Sequence, residues 1–417
     1  TPQHIKFSHK KKYCGIKDKE IIDVLRSLSD FSNHVSDIEH ITSVCHDETY
    51  GIDKGIIVRN TCFPNWDNYE MIYNGPQFYI NNPLYKTPRS SCVLNSDYDP
   101  IDLEKISDDY SSRTNYLPGL ELNEYKNLIN GFKIGQNKDG NSTFECWMDY
   151  YKVGFRKMLS QAGERTLICA LLPRKSAHIN GVISVAFRNG NYSVDMTALC
   201  SSLVLDFYMK TVGASNLMPM RMQMLPLGVP FQYIKPLRAR TLRLNCVTNR
   251  YADLWQEVWD ASYKQEQWSI KDKRLAPWNT LTEEWNHNTP LRNYFERRMA
   301  LVEIDVLAAM ALGLTLDELI MMYEIQFPVL QQNENDTWYD RHGRIVFTCS
   351  KGLIGVGVDR PTWNRIREMH PGETYTYTLT SELYAGQTIT YEAPFTKCDR
   401  VEDYRTAWEY FENVYNK

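Results

Sequence analysis

The sequence predicts an α+β fold built on a twisted sheet with packed helices, a helical connector and a small β-rich C-terminal subdomain. Residues 165–172 (RTLICALL) and 182–188 have the length and apolar content of buried strands. Apolar residues recur at helical spacing through 290–326. The stretches 373–380 (ETYTYTLT) and 387–395 (QTITYEAPF) are typical of strands. These patterns together indicate the fold class.

The elements before this sheet are predicted from shorter patterns. Residues 18–28 (DKEIIDVLRSL) have helical spacing, and 55–100 is rich in β-branched and aromatic residues broken by an Asn-Gly-Pro turn. A loop-rich connector over 99–120 follows. Residues 122–132 and 149–159 each predict a short helix.

The central elements follow the two buried strands, which we expect to lie next to each other. One helix over 197–209 is predicted to pack on them. Residues 212–230 contain two glycines, three prolines and four methionines, which predicts an irregular segment. Residues 235–270 then predict further helix.

The C-terminal elements have the clearest signals. Residues 291–313 (LRNYFERRMALVEIDVLAAMALG) predict one long amphipathic helix. Thr315, three residues before Glu318, predicts a capping box at the start of the next helix. A terminal helix is expected over 403–415 (DYRTAWEYFENVY).

Composition and cysteine spacing limit the class of protein. The chain has 417 residues, of which 43% are hydrophobic and 24% charged, which excludes a wholly disordered or fibrous chain. No apolar run approaches the roughly 20 residues of a membrane span. The ten cysteines include no CxxC pair, so no structural zinc site is expected. We expect a cytoplasmic fragment of a longer protein, or an engineered one, with reduced thiols.

The charge of the chain is unevenly distributed. Residues 151–250 hold 14 lysines and arginines against three acidic residues, although the whole chain has a net charge of −4. A local excess of this kind is typical of polyanion-binding surfaces. The alternatives are a solvated basic face and a face that docks on an acidic partner. Binding to duplex DNA would give a log–log salt slope on the order of −4 to −8.

Catalytic motifs are weak in this chain. Asn82-Pro83-Leu84-Tyr85 is similar to the [NDS]-P-P-[YFW] loop of DNA amino-methyltransferases, but Leu84 replaces the second proline and no upstream glycine-rich loop is present. Pro100 and Asp102, followed by Glu124 and Lys126, could form a magnesium-dependent nuclease site, a spacing that also arises by chance. No G-x-S-x-G elbow is present.

Two longer segments carry a family resemblance. ERTLICALLPRKSAHIN (164–180) and TALCSSLVLDFYMKTVGASNLMPMRMQMLPLGVP (197–230) resemble the target-recognition part of large adenine-specific DNA methyltransferases. These include type IIG restriction–modification enzymes and relatives in the phage-defence systems DISARM and BREX. The resemblance continues through 75–89 and into the C-terminal segments, from about residue 55 onward.

The resemblance implies a domain organisation and a partner. Residues 1–55 would join the chain to a missing upstream catalytic domain, which would bind S-adenosylmethionine; no cofactor is expected in the chain itself. Residues 56–275 would form the DNA target-recognition domain, 276–330 a helical connector, and 331–417 a β-rich subdomain with the terminal helix. The chain would recognise a sequence in double-stranded DNA and present an adenine to the catalytic domain.

The resemblance and the local charge nominate DNA-binding residues. Phosphate contacts position a protein on DNA and base contacts specify the sequence. The phosphate candidates are Lys86, Arg89, Lys175 and Lys210. The base or groove candidates are Arg174, His178, Asn180, Ser215, Asn216 and Arg221, because Asn can bind adenine edges and Arg guanine edges.

Two other functions stay open at this level. One is a protein-interaction subunit that docks on a methylase or helicase of the same complex through its basic face. The other is a standalone enzyme, either a divergent DNA methyltransferase that uses Asn82 or a nuclease. Salt-dependent duplex binding would distinguish the first, and S-adenosylmethionine binding the second.

Overall fold

The computed structural model describes Val24, Arg26 and residues 33–415. Val24 and Arg26 are helical, and the other residues of the helix predicted over 18–28 lie outside the described residues. The predicted α+β class is confirmed, because strands and helices are both present and the strands form several small separate sheets.

The described residues from 33 to 415 form sixteen strands and twelve α-helices, together with short 3₁₀ helices. The strands are β1 His40–Ser43, β2 Ile57–Cys62, β3 Met71–Tyr73, β4 Lys86–Pro88, β5 Tyr98–Pro100, β6 Thr114–Pro118, β7 Asn130–Gln136, β8 Ser142–Cys146, β9 Lys152–Arg156, β10 Cys169–Leu172, β11 Ser176–His178, β12 Val182–Phe187, β13 Trp338–Tyr339, β14 Ile345–Phe347, β15 Thr374–Thr378 and β16 Thr388–Glu392. The helices are α1 Glu48–Asp53, α2 Leu122–Lys126, α3 Gly190–Ser201, α4 Leu203–Val212, α5 Pro219–Gln223, α6 Phe231–Asn245, α7 Ala252–Val258, α8 Tyr294–Ala311, α9 Leu316–Gln326, α10 Pro328–Asn335, α11 Arg360–Ile366 and α12 Arg400–Tyr415.

The central sheet is antiparallel, with the strand order β1-β12-β9-β10. The predicted strands β10 and β12 are buried along their whole length, yet they are not neighbours, because β9 lies between them. The prediction of a helix over 149–159 is therefore wrong. Tyr151, Val153 and Phe155 alternate into one core, which is the period of a strand.

Two further helix predictions need correction. The helix expected over 122–132 ends at Lys126, and the chain then forms β7, which pairs with β8. The single helix expected over 197–209 is two helices, α3 and α4, which meet at Ser202. The extended backbone of Ser202 ends α3, while its hydroxyl accepts from Leu205 N and caps α4.

The long helix and the capping box are confirmed. The helix α8 begins after Asn293, whose side chain accepts from Glu296 N, and it runs to Ala311. Thr315 and Glu318 form the predicted capping box at the start of α9. The strands predicted at 373–380 and 387–395 form the hairpin β15–β16, which a second hairpin, β13–β14, precedes, and the terminal helix α12 contacts α8 and α9.

One large hydrophobic core joins elements that are far apart in sequence. It includes Val153 of the central sheet, Ala308 of α8 and Phe411 of α12. The predicted boundaries at 275 and 330 stay predictions, and this core extends across both.

A buried ion pair fixes α4 against the segment that leads into β10. Arg165 pairs with Asp206, and both side chains are almost fully buried. Asp206 Oδ1 also accepts from the backbone N–H groups of Thr166 at 3.0 Å and Leu167 at 2.8 Å. Arg165 is thus a structural residue that orients α4, the helix that leads into the 213–221 loop.

Candidate nucleic-acid interface

The loop that follows α4 is held against the end of β9. Leu159 N donates to the Ser215 carbonyl at 2.9 Å, and Leu217 N donates to the Lys157 carbonyl at 2.8 Å. Asn216 lies between these two bonds, opposite Met158. The loop therefore has a fixed backbone, which a surface that recognises bases requires.

Local sequence explains the shape of this loop. Gly213 ends α4 with a φ of 71°, a left-handed conformation that glycine adopts without strain. Pro219 then begins α5. Leu217 and Met222 are buried and anchor the loop in the core, whereas the side chains of Asn216 and Arg221 are exposed.

Two polar residues beside the loop extend the exposed surface. Lys157 Nζ donates to Asn180 Oδ1 at 2.7 Å, and Lys157 N donates to the Gly181 carbonyl at 3.0 Å. We call this set of five residues the recognition surface: Lys157, Asn180, Ser215, Asn216 and Arg221. It brings together four of the ten residues nominated from sequence.

Lys157 was missed in the sequence because 149–159 was interpreted as a helix. The strand β9 ends at Arg156, and the residues that follow it, Lys157 and Leu159, form backbone hydrogen bonds with the 213–221 loop. The excess of lysine and arginine in residues 151–250 is the sequence feature that could have identified Lys157 as a binding residue.

His178 is a correction to the predicted groove residues. Its side chain is fully buried, with Nε2 at 2.9 Å from Ser184 Oγ and Nδ1 at 3.1 Å from the Ile179 carbonyl. Burial lowers the pKa of His178 to about 3, so the ring is neutral at physiological pH. It is a structural hydrogen-bonding residue of β11 and has no access to a DNA groove.

The other cationic candidates lie away from the recognition surface or bind other groups. Arg174 pairs with Asp253 at 3.2 Å, Lys175 with Asp67 at 2.8 Å, and Arg89 with Asp99 at 3.0 Å. Lys210 Nζ donates to the Gly163 carbonyl at 3.1 Å and lies over the Phe327 ring. Lys86 lies over the Tyr85 ring, and burial lowers its pKa.

Half of the 14 lysines and arginines of residues 151–250 form ion pairs with carboxylates. Arg188, Arg238, Arg240 and Lys235 also form ion pairs, in addition to Arg165, Arg174 and Lys175. Arg243 is buried among backbone carbonyls and has a pKa lowered to about 10 by burial. Within the described part of the chain, Arg221 is exposed and makes no ion pair.

Exposed apolar side chains surround the recognition surface. Met158 is 77% exposed and Met220 75%. Met218, Met224 and Phe231 are also exposed on the same stretch of chain. A cluster of large, exposed apolar side chains usually marks a surface that contacts another molecule.

The alternative catalytic residues are engaged in their own loops. Asn82 Oδ1 accepts from Leu84 N at 3.2 Å, and its carbonyl accepts from Tyr79 N at 2.9 Å. Lys126 Nζ donates to Tyr69 OH at 3.1 Å, and Glu124 shares the helix α2 with it. Across the described ranges, no group of three His, Cys, Asp or Glu side chains is placed to hold a metal ion.

No protein-family model matches the sequence, and no relative is found among curated proteins. Among the helices of the described residues, none has both the length and the apolar character needed to cross a membrane.

Proposed function

We propose that the chain is a double-stranded DNA recognition module in which Asn180, Asn216 and Arg221 contact base edges and Lys157 contacts phosphate. An Asn amide offers a donor and an acceptor to an adenine edge, and an Arg guanidinium offers two donors to guanine. The parent protein in this proposal is an adenine-specific DNA methyltransferase of a restriction–modification or phage-defence system. Its catalytic domain would bind S-adenosylmethionine.

One observation carries the proposal. The two backbone hydrogen bonds that Lys157 and Leu159, just after β9, form with the loop hold Asn216 in an exposed position. Arg221 is exposed on the helix α5 that follows, while half of the cations of the segment are paired with carboxylates. A loop whose backbone is already fixed avoids the entropy cost of ordering that backbone on binding. The resemblance of 197–230 to target-recognition segments supports the same loop.

The experiment is selection of duplexes from a randomised pool by the chain, followed by fluorescence anisotropy with a selected and a scrambled duplex. We expect Asn216→Ala and Arg221→Ala each to cost about 1–3 kcal/mol of binding free energy on the selected duplex and much less on the scrambled one. Thermal stability should stay unchanged, since both side chains are exposed.

The matched control is Arg367→Ala in the C-terminal subdomain, whose exposed side chain pairs with its neighbour Glu368. It should leave both affinities unchanged. No duplex binding at low salt, or an unchanged ratio of the two affinities in Asn216→Ala, would contradict the proposal.

A protein-interaction subunit is the second candidate, and the exposed Met158, Met218 and Met220 favour it. Methionine-rich surfaces adapt to apolar partners. In that case these three side chains would become buried in a complex with the catalytic subunit, and duplex affinity would not respond to salt.

A further inference from the structure

A cleft with a volume of ≈ 430 Å³ opens beside the recognition surface, and Met158 lines it. Its walls come from the 74–76 turn, the 92–95 loop, β6 and the end of β9. Pockets for small ligands typically occupy about 300–1,000 Å³. The cleft is therefore large enough for a small organic ligand.

Asn74 leaves a buried polar atom at this cleft. The residue is 7% exposed, its Nδ2 donates to Tyr98 OH at 3.1 Å, and its backbone N donates to Gln77 Oε1 at 2.7 Å. Its Oδ1 faces the Gln77 N–H in a capping box but makes no hydrogen bond of normal geometry with any described residue. Because buried polar atoms are almost always paired, this oxygen points to a ligand with an N–H group.

Two arginines without carboxylate partners line the same cleft. Arg156 Nε donates to the Gly75 carbonyl at 2.8 Å and Nη2 to the Phe78 carbonyl at 2.6 Å. Arg59 Nη2 donates to the Cys92 carbonyl at 3.3 Å. Neither forms an ion pair in the part of the chain that the structure describes, and burial lowers the pKa of Arg156.

One carboxylate partly offsets these charges. Glu48 lines the cleft and accepts from Tyr116 OH. Two guanidinium groups against one carboxylate leave the cleft net positive. A ligand with a negative group would supply the missing counter-charge, and a guanidinium binds phosphate oxygens with good geometry.

We propose that this cleft binds a nucleotide with an amino-bearing base. The base amine would donate to Asn74 Oδ1, and the phosphate would contact Arg59, which is exposed at the mouth, and Arg156. Val93 and Leu94, 71% and 64% exposed, lie where they can pack against the base or sugar. Adenine, cytosine and guanine carry the required amine.

The nucleotide has two sources, a free mononucleotide or a residue extruded from a duplex. The second source rests on the proposed function. It is favoured by Met158, which lies opposite Asn216 of the recognition surface and also lines the cleft. Extrusion of a base is a known way for a protein to contact groups that stacking hides.

The test is calorimetric titration of the chain with deoxyadenosine 5′-monophosphate. We expect binding that weakens at least about tenfold for deoxyadenosine, which lacks the phosphate, and for the purine nucleotide that lacks the 6-amino group. Arg59→Ala should weaken binding similarly without lowering the melting temperature, because the side chain is exposed. Arg367→Ala is the control and should change nothing.

A duplex with 2-aminopurine distinguishes the two sources. A rise in its fluorescence on binding, reduced in Arg59→Ala, supports extrusion, and a flat signal with intact mononucleotide binding assigns the cleft to free nucleotide. No mononucleotide binding at millimolar concentration, or equal affinity in Arg59→Ala, would overturn the cleft proposal. Duplex binding that still depends on Asn216 and Arg221 would then leave the proposed function intact.

Discussion

Burial determines the protonation state of two histidines in this protein. His178 and His46 both lie in the interior, and the backbone of His46 donates to the His178 carbonyl. Burial lowers the pKa of His46 to about 4 and that of His178 to about 3. Both rings are neutral in the folded protein, whereas an unfolded histidine has a pKa near 6.5.

This difference predicts acid sensitivity. Below about pH 6.5 the unfolded chain takes up protons that the folded chain does not, so stability falls as pH decreases towards 4. Each histidine contributes about 1.4 kcal/mol per pH unit in that window. Urea unfolding at pH 7 and pH 5 measures the effect.

The matched variant is His178→Gln, which keeps a polar group at the Ser184 hydroxyl but does not titrate. It should show a smaller loss of stability between pH 7 and pH 5 than the parent chain. An equal loss would mean that His178 is protonated without unfolding.

At the scale of elements, the position of α4 depends on a carboxylate. Asp206 pairs with Arg165 and accepts from two backbone N–H groups, all within the interior. We expect Asp206→Ala to reduce the free energy of unfolding by about 3–5 kcal/mol, because it leaves a buried guanidinium without a partner. Urea unfolding of the variant measures this.

Asp253→Ala is the control for that variant. Asp253 also pairs with an arginine, Arg174, but its side chain is 75% exposed. Its loss should cost at most about 1 kcal/mol. If both variants lost similar stability, burial would not be the property that makes Asp206 important.

Sequence patterns predicted elements well where one local period dominated. The helix α8, the capping box at Thr315 and the hairpin β15–β16 follow directly from the spacing of residues close in sequence. The strand β9 was mistaken for a helix because its signal is only five residues long, and its pairing with β12 and β10 is made across the chain. The contact of the 213–221 loop with Lys157 and Leu159 could not be predicted either, because these residues are far from the loop in sequence.

The positive charge of residues 151–250 predicted the binding residues less well, for a different reason. Counting residues 151–250 identifies a positive segment, but the carboxylates that pair with it, such as Asp67, Asp253 and Asp260, belong to other parts of the chain. Only the folded arrangement shows which cations remain free. Four of the ten nominated residues lie on one surface, and the others are buried, paired or elsewhere.

For the whole molecule, this pairing changes the expected response to salt. Lys157, Arg221 and Arg59 are cations without carboxylate partners among the described residues near the recognition surface. Even if all three of these cations contacted phosphate, the log–log slope of affinity against salt would reach only about −3, at roughly 0.9 per contact. This is shallower than the −4 to −8 expected from the sequence.

Anisotropy titrations of a duplex between about 50 and 300 mM salt, the upper end being about twice the physiological ionic strength, measure the slope. Lys157→Ala should reduce its magnitude by about one, because Lys157 is the proposed phosphate contact, whereas Arg221→Ala should change mainly the preference for the selected duplex. A slope near zero would exclude a phosphate-binding face.

The exposed methionines near Asn216 also make this part of the surface chemically vulnerable. Peroxide adds one oxygen to an accessible thioether and converts an apolar side chain into a polar sulfoxide. Met158, Met220 and Met224 are 77%, 75% and 60% exposed, whereas Met222 on the same short helix is buried. Ageing of a stored sample will therefore begin on the face proposed to bind DNA, with the fold still intact.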